Sequence, residues 1–239
     1  NMESYTDVVI LIITMMTNAG YHVELIRANS GNYDVPQLKN RVFFAGSKFG
    51  KIGGPSPSGN ITPTIAEAFE HLDSFKPGMH PERRLTARML AGIKAREDGN
   101  KLKRTRDCIP HKPARALTCN NAGGFSGDML RLVTPEGHTR TLTTEEIAAL
   151  QTVPYGVADL LAHEGFTDRA VYRALGDAFP CNHAKAWASH VKIHLEEIRS
   201  LRRQMRQKLK DFDEPDAPDA PPPPPPADAR MLMRELAVA

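Results

Sequence analysis

Gln37, Lys39 and Arg41 occupy alternate positions in the stretch YDVPQLKNRVFFAG, residues 33–46. In an extended backbone, residues two apart point to the same side. The three side chains therefore read as one polar, cationic face built of an amide and two cations. Such a set can hold a carbonyl oxygen and an anionic group in fixed positions. Pro36 disfavours the helical region for Val35 and keeps the entry extended, and Val42–Ala45 continue as a short apolar run expected to be a buried strand. Two other sets look reactive at first sight. His190 and His194 are one helical turn apart, with His183 nearby, but no glutamate or third carboxylate completes a zinc motif, so packing or solvated histidines are expected and no metal. Cys108, Cys119 and Cys181 show neither paired spacing nor a Cys-x-x-Cys pattern, which argues against a disulfide scaffold.

The elements that must position these groups follow from punctuation and periodicity. Residues 5–19 read as a buried helix closed at Gly20, and residues 21–28 as a strand with Tyr21, Val23 and Leu25 alternating. A Gly/Asn loop over 29–32 leads to the strand of the cationic face, so the first fifty residues read as α/β material. A turn-rich connector (50–60) and a short amphipathic helix from Thr64 follow. Residues 76–115 read as irregular, and their twelve Lys and Arg against four Asp and Glu leave a surplus of eight, although the whole chain carries only +3. That concentration suggests a polyanionic partner. Small strands around a glycine-rich turn are expected over 116–134. Thr143 and Glu146 form a capping box ahead of Ile147 and Leu150, and Pro154 ends that helix. After a turn at 176–180, a helix from about Ala184 to Lys210 carries eight Lys and Arg against two Glu. From Asp211 the chain becomes acidic and proline-rich, the composition of a disordered or polyproline spacer. The apolar run 8–16 is too short to cross a bilayer, which needs about 20 residues.

Three segments, in this order, resemble the cytosine-5 DNA methyltransferases. GYHVELIRANSGNYDVPQLKNRVFFAG (20–46) is similar to that family's eighth motif and the strand before it. RTLTTEEIAALQTVP (140–154) resembles the ninth, and YRALGDAFP (172–180) the tenth. HKPARALTC (111–119) resembles a piece near the end of the family's target-recognition region. The resemblance implies the carboxyl-terminal part of an S-adenosylmethionine-dependent, Rossmann-like α/β domain plus a small, irregular, mostly-β target-recognition domain. Its boundaries are catalytic domain over 1–50, recognition region over 51–138 and return to the catalytic domain over 139–195. A basic helix and proline-rich tail over 196–239 lie beyond.

The same resemblance implies roles. Arg41 reaches the carbonyl of a cytosine rotated out of the duplex and a neighbouring phosphate, with Lys39 and Gln37 beside it. Tyr172, Asp177, Ala178 and Phe179 lie by the S-adenosylmethionine pocket. Arg104, Arg106, Lys112, Arg115, Thr118 and Arg140 are candidates for contacting double-stranded DNA. Lys39 stands for the family's first arginine, Asp177 for its asparagine and Phe179 for its valine. The family's Pro-Cys nucleophile and glycine-rich cofactor motif do not occur; Pro180-Cys181 belongs to the tenth motif, which makes Cys181 a packing residue. Asn1-Met2 matches the remainder of a Glu-Asn-Val motif. The chain thus reads as the carboxyl half of a prokaryotic or phage enzyme acting in the cytoplasm. It is expected to be inactive without an amino half on the same chain or a separate subunit. The alternative is a non-catalytic DNA-binding remnant.

Overall fold

Helix starts are set by side chains that satisfy the first free N–H groups. Thr143 accepts from Glu146 N while Glu146 accepts from Thr143 N, so the expected capping box is formed in full. A second box, Thr64 with Glu67, begins the short helix expected there. The computed structural model describes residues 6–76, 78–99, 107–118, 130–134 and 136–213. Its elements are α1 (Thr6–Asn18), β1 (His22–Asn29), β2 (Gln37–Leu38), β3 (Asn40–Ser47), α2 (Ile65–Ala68), α3 (Ala87–Gly99), β4 (Asp107–Cys108) and β5 (Ala114–Arg115). They continue with β6 (Arg131–Val133), β7 (Thr139–Thr141), α4 (Thr144–Leu150), α5 (Val157–His163), α6 (Asp168–Asp177) and α7 (Cys181–Asp213).

The chain divides into two compact units. The first holds Asn1–Val23, Gly46–Ile52 and Ala188–Ala239. Here the sequence expectation is half right. α1 forms and ends at Gly20, whose φ of +82° suits only glycine well. It is not a buried helix, however: none of its residues is buried, and Ile10, Leu11 and Met15 are more than half exposed. Apolar composition predicts burial only where another element arrives to cover it.

The second unit holds Glu24–Ala45 and Gly53–Trp187. Its core is α4 packed on α2, α5 and α6, with Ile147 and Leu150 fully buried among Ile65, Phe69 and Leu117. Each such side chain contributes about 1.5–3 kcal/mol by leaving water. The sheets are small. β6 lies between β4, parallel to it, and β7, antiparallel, while β2 pairs in parallel with β5, Gln37 opposite Ala114. β1 and β3 pair as a third sheet. The stretch 76–115, expected to be irregular, contains the 13-residue helix α3. Thr86 accepts from Met89 N at its start, and Met89, Leu90 and Ile93 pack with Leu85. A three-residue apolar face amid charges is too faint a period to announce a helix. α7 begins at Cys181, three residues before the expected start. Among the described residues no helix is long and apolar enough to cross a membrane. α7 runs on through Asp213, three residues past Lys210 where the spacer was expected to take over; the glycine-rich turn, Cys119 and the tail from residue 214 lie outside the described residues.

Candidate functional site

The alternation read from Gln37, Lys39 and Arg41 is present, but two of the three side chains are committed inward. Gln37 is fully buried. Its Nε2 donates to Leu150 O at 2.8 Å and to Gln151 Oε1 at 3.0 Å, and its Oε1 accepts from Leu117 N at 3.0 Å. Gln151, also fully buried, passes the relay on by donating to Leu175 O. The partners leave one consistent orientation for both amides: Leu117 N–H to Gln37, Gln37 to Gln151, Gln151 to the last turn of α6. Lys39 is 5% exposed, and its Nζ donates to Gly176 O at 3.1 Å and Ala178 O at 3.3 Å. These carbonyls belong to the carboxyl end of α6, where the last C=O groups lack helical partners and the dipole favours a cation. A buried ammonium is tolerable there because the helix end supplies the negative partial charge.

Arg41 is different. It is half-buried, and among the described residues it makes no hydrogen bond or ion pair; its Nε is a buried donor without a partner. Close by is His183, fully buried in a nest of rings. Tyr33 stacks on it at 4.1 Å between centroids, while Phe43 and Phe179 approach at 5.4 and 4.7 Å. Its Nδ1 lies 3.2 Å from Ser30 Oγ, which in turn donates to Lys39 O. With the hydroxyl proton spent on Lys39 O, His183 carries its proton on Nδ1, and Nε2 is left as a buried acceptor without a partner.

Burial, and then the positive charge of Arg41, lower the His183 pKa to about 4. The ordinary value is 6.5. Between those limits the unfolded chain takes a proton that the folded chain refuses, so stability is full above pH 6.5 and is lost as pH falls towards 4. The span corresponds to about 3 kcal/mol. Urea unfolding at pH 7.5 and at pH 4.5 will therefore show a smaller pH-dependent loss in His183→Phe than in the wild type. An equal loss in both proteins would remove His183 as its source.

The expected cofactor residues separate into two groups. Tyr172 is buried in the α6 core, its hydroxyl donating to Leu142 O at 2.9 Å and accepting from Arg83 Nη1 at 2.6 Å. Its one hydroxyl proton is committed to Leu142 O. Asp177, the last residue of α6, is exposed; Ala178 and Phe179 are half-buried, and the Phe179 ring meets the Phe43 ring edge-on at 5.5 Å.

Lys112, Arg115 and Thr118 are exposed on β5 and its flanks, as a DNA-contacting surface requires. Arg140 is not. It is fully buried on β7, with both terminal nitrogens on the Glu146 carboxylate and further bonds to Ser74 O and Thr141 O. The carboxylate that caps α4 is thus also its counter-ion, and a nucleic acid cannot reach it. Arg104 and Arg106 lie outside the described residues. His190 bonds Ile52 O and His194 bonds Ser47 Oγ, both packing contacts. Among the described residues no cluster of His, Cys, Asp or Glu is placed to hold a metal. Burial pushes the Cys108 thiol up to about 12, which suppresses its thiolate, and Cys181 is half-buried where its N–H donates to Gln151 O. The residues that sequence reasoning missed are Gln151 and Ser30; His183, expected to be a packing or solvated histidine, is a packing one. Gln151 was inside a recognised motif, whereas nothing local marks the Ser30–His183 pair, 153 positions apart.

The fold so described is the Rossmann-like methyltransferase fold, mixed α/β with small sheets. It matches the Dnmt2 methyltransferase of S. pombe with a TM-score of 0.59 at 14% identity, over 77% of this chain and 61% of that one. In sequence the chain is 32% identical over 185 residues to the type II methyltransferase M.AplI of Arthrospira platensis, covering 77% of this chain and 52% of the relative. It is 28% identical over 152 residues to the type II methyltransferase M1.HphI of Haemophilus parahaemolyticus, covering 56% and 40% respectively. The chain is therefore a homologue of type II methyltransferases and spans about half the length, or less, of these curated relatives. No family model matches it.

Proposed function

We propose that this chain is the carboxyl-terminal part of a DNA (cytosine-5-)-methyltransferase, working with an amino-terminal half that carries the nucleophile. The reading is supported above all by one junction. Lys39 binds the carbonyls of Gly176 and Ala178, and Gln37 binds Leu150 and Gln151, so the three motif-like segments meet as one hydrogen-bonded unit. That arrangement gives Gln37 and Lys39 a positioning task and leaves Arg41 to touch substrate. Carbon 5 of cytosine is unreachable inside a stacked duplex, so the base must be rotated out. Arg41 then donates to its carbonyl oxygen and the adjacent phosphate, a pairing suited to the guanidinium fork. A cysteine of the amino half supplies the nucleophile.

S-adenosylmethionine supplies an electrophilic methyl group. Among the residues expected to hold it, Phe179 fits as a half-buried ring, whereas Asp177 is an exposed carboxylate that opposes the carboxylate of the cofactor's methionine end. Tyr172 supports them only from within the core. Lys112, Arg115 and Thr118 face the double-stranded DNA. The two type II methyltransferase relatives, both bacterial, support a bacterial or phage cytoplasm and a restriction-modification role.

The test joins the chain to a catalytic half bearing a Pro-Cys nucleophile and follows tritiated methyl transfer to carbon 5 of cytosine in duplex DNA. The joined protein should be active and the chain alone inactive. Arg41→Ala should slow transfer at least 100-fold, about the effect of removing one preorganised donor. Full activity of Arg41→Ala would end the role given to Arg41, and methylation of an exocyclic nitrogen would end the cytosine-5 assignment. A second reading, a non-catalytic DNA-binding remnant, draws on Asp177 standing for an asparagine; it predicts DNA binding by the joined protein without methyl transfer.

A further inference from the structure

α7 continues for thirty-three residues, and its carboxyl half belongs to none of the motif-like segments. Arg199, Arg202, Arg203 and Arg206 follow one another at i, i+3, i+4 and i+7, so they share one face of the helix. Together with Glu196 they line an open cavity of about 680 Å³. Glu196, the one acid among these lining residues, approaches Lys192 at 3.9 Å. None of the four arginines makes a hydrogen bond or ion pair among the described residues. Arg202 lies 4.8 Å above the Phe49 ring, with its Nε buried and without a partner. Like charges three and four apart oppose each other in a helix. This stripe contains four such pairs, and Glu196 is the one acid beside them among the described lining residues. An ordinary solvated face alternates its charges; this one concentrates guanidinium groups, whose planar fork matches phosphate oxygens.

We propose that the arginine stripe of α7 is a second phosphodiester-backbone site, holding duplex DNA independently of the surface around Lys112 and Arg115. The inference rests on the reading that the protein acts on DNA. The geometry favours an extended polyanion over a small ligand. Seven residues of helix advance about 10 Å, the axial length over which one DNA strand presents about three phosphates. An open strip of long side chains along one helix face suits a rod passing across it. Contacts of this kind carry no sequence information and serve to position and retain the protein on the duplex.

The experiment measures binding of the full chain to two 30-base-pair duplexes of unrelated sequence by fluorescence anisotropy, from 50 to 200 mM KCl. The variant is Arg199→Gln/Arg203→Gln/Arg206→Gln, which leaves Arg202 on Phe49; near-ultraviolet circular dichroism confirms its fold. Each lost phosphate contact lowers the slope of log affinity against log salt by about 0.9. The triple variant should therefore show a slope shallower by about 2–3, equally on both duplexes. The fall in affinity across that salt range would shrink about 40-fold. An unchanged slope in the variant overturns the inference while the DNA reading stands. A slope change confined to one duplex also overturns it, by making the stripe a sequence reader. Failure of the wild type to bind either duplex overturns both.

Discussion

Glu146→Ala will destabilise the protein by about 3–5 kcal/mol, the cost of leaving a buried charge without its partner. Arg140 and Glu146 are both fully buried, and the carboxylate receives both terminal nitrogens of the guanidinium. Glu146 also accepts from Thr143 N at 2.7 Å, so its loss removes that half of the capping box, while the Thr143 hydroxyl still accepts from the backbone N–H of residue 146. The midpoint of urea unfolding should drop by roughly 1–2 M. Removing both members is expected to be far milder: Arg140→Met/Glu146→Leu leaves no isolated charge, and apolar replacement of a buried pair is often close to neutral. If Glu146→Ala proves as stable as the double variant, the pair is not the buried linchpin described here. The contrast also bears on DNA binding, because Arg140→Met/Glu146→Leu should keep the wild-type salt slope.

Gln37→Ala should cost about 4 kcal/mol, and Gln37→Glu should prevent folding near neutral pH. The alanine variant leaves Leu117 N, Leu150 O and Gln151 Oε1 buried and unsatisfied, each worth about 1–3 kcal/mol. The glutamate variant keeps the shape but turns a donor into a carboxylate oxygen facing two acceptors. The measurement is far- and near-ultraviolet circular dichroism against urea for both variants and for Lys112→Gln, an exposed control expected within about 0.5 kcal/mol of wild type. A stable, folded Gln37→Glu would show that the amide relay is not obligatory. Methyl transfer by the joined enzyme should fall with Gln37→Ala in proportion to folded protein, since Gln37 positions the junction and does not touch the base.

How much of this was legible in the chain depends on the range of each interaction. The Thr143–Glu146 box, the stop at Gly20 and the alternation of Gln37, Lys39 and Arg41 are local, and each formed as read. The helix α3 was missed because its apolar face has only three residues. Arg140 was misplaced because an arginine beside a basic region looks like a surface residue, and nothing nearby says that Glu146 will be folded against it. The burial of α1 failed for the opposite reason: its apolar residues are plain, but burial needs a second surface. For Gln37 and Lys39, type and spacing were right and destination was not. Period two states that side chains share a face, and tertiary packing alone states whether that face meets water or the end of α6.

By itself the sequence determined which short-range devices exist: caps, turns, alternation, the charge surplus of 76–115 and the arginine stripe of α7. These follow from bond geometry and from contacts within a few residues. The tertiary structure alone decided which polar groups would be consumed. Gln37, Lys39, Tyr172 and Arg140 are spent on partners up to 139 positions away, and among the described residues Arg41 is left with its donors unspent. The physical reason is that a buried polar group must find a partner, and which partner arrives is settled by long-range packing that no local pattern encodes.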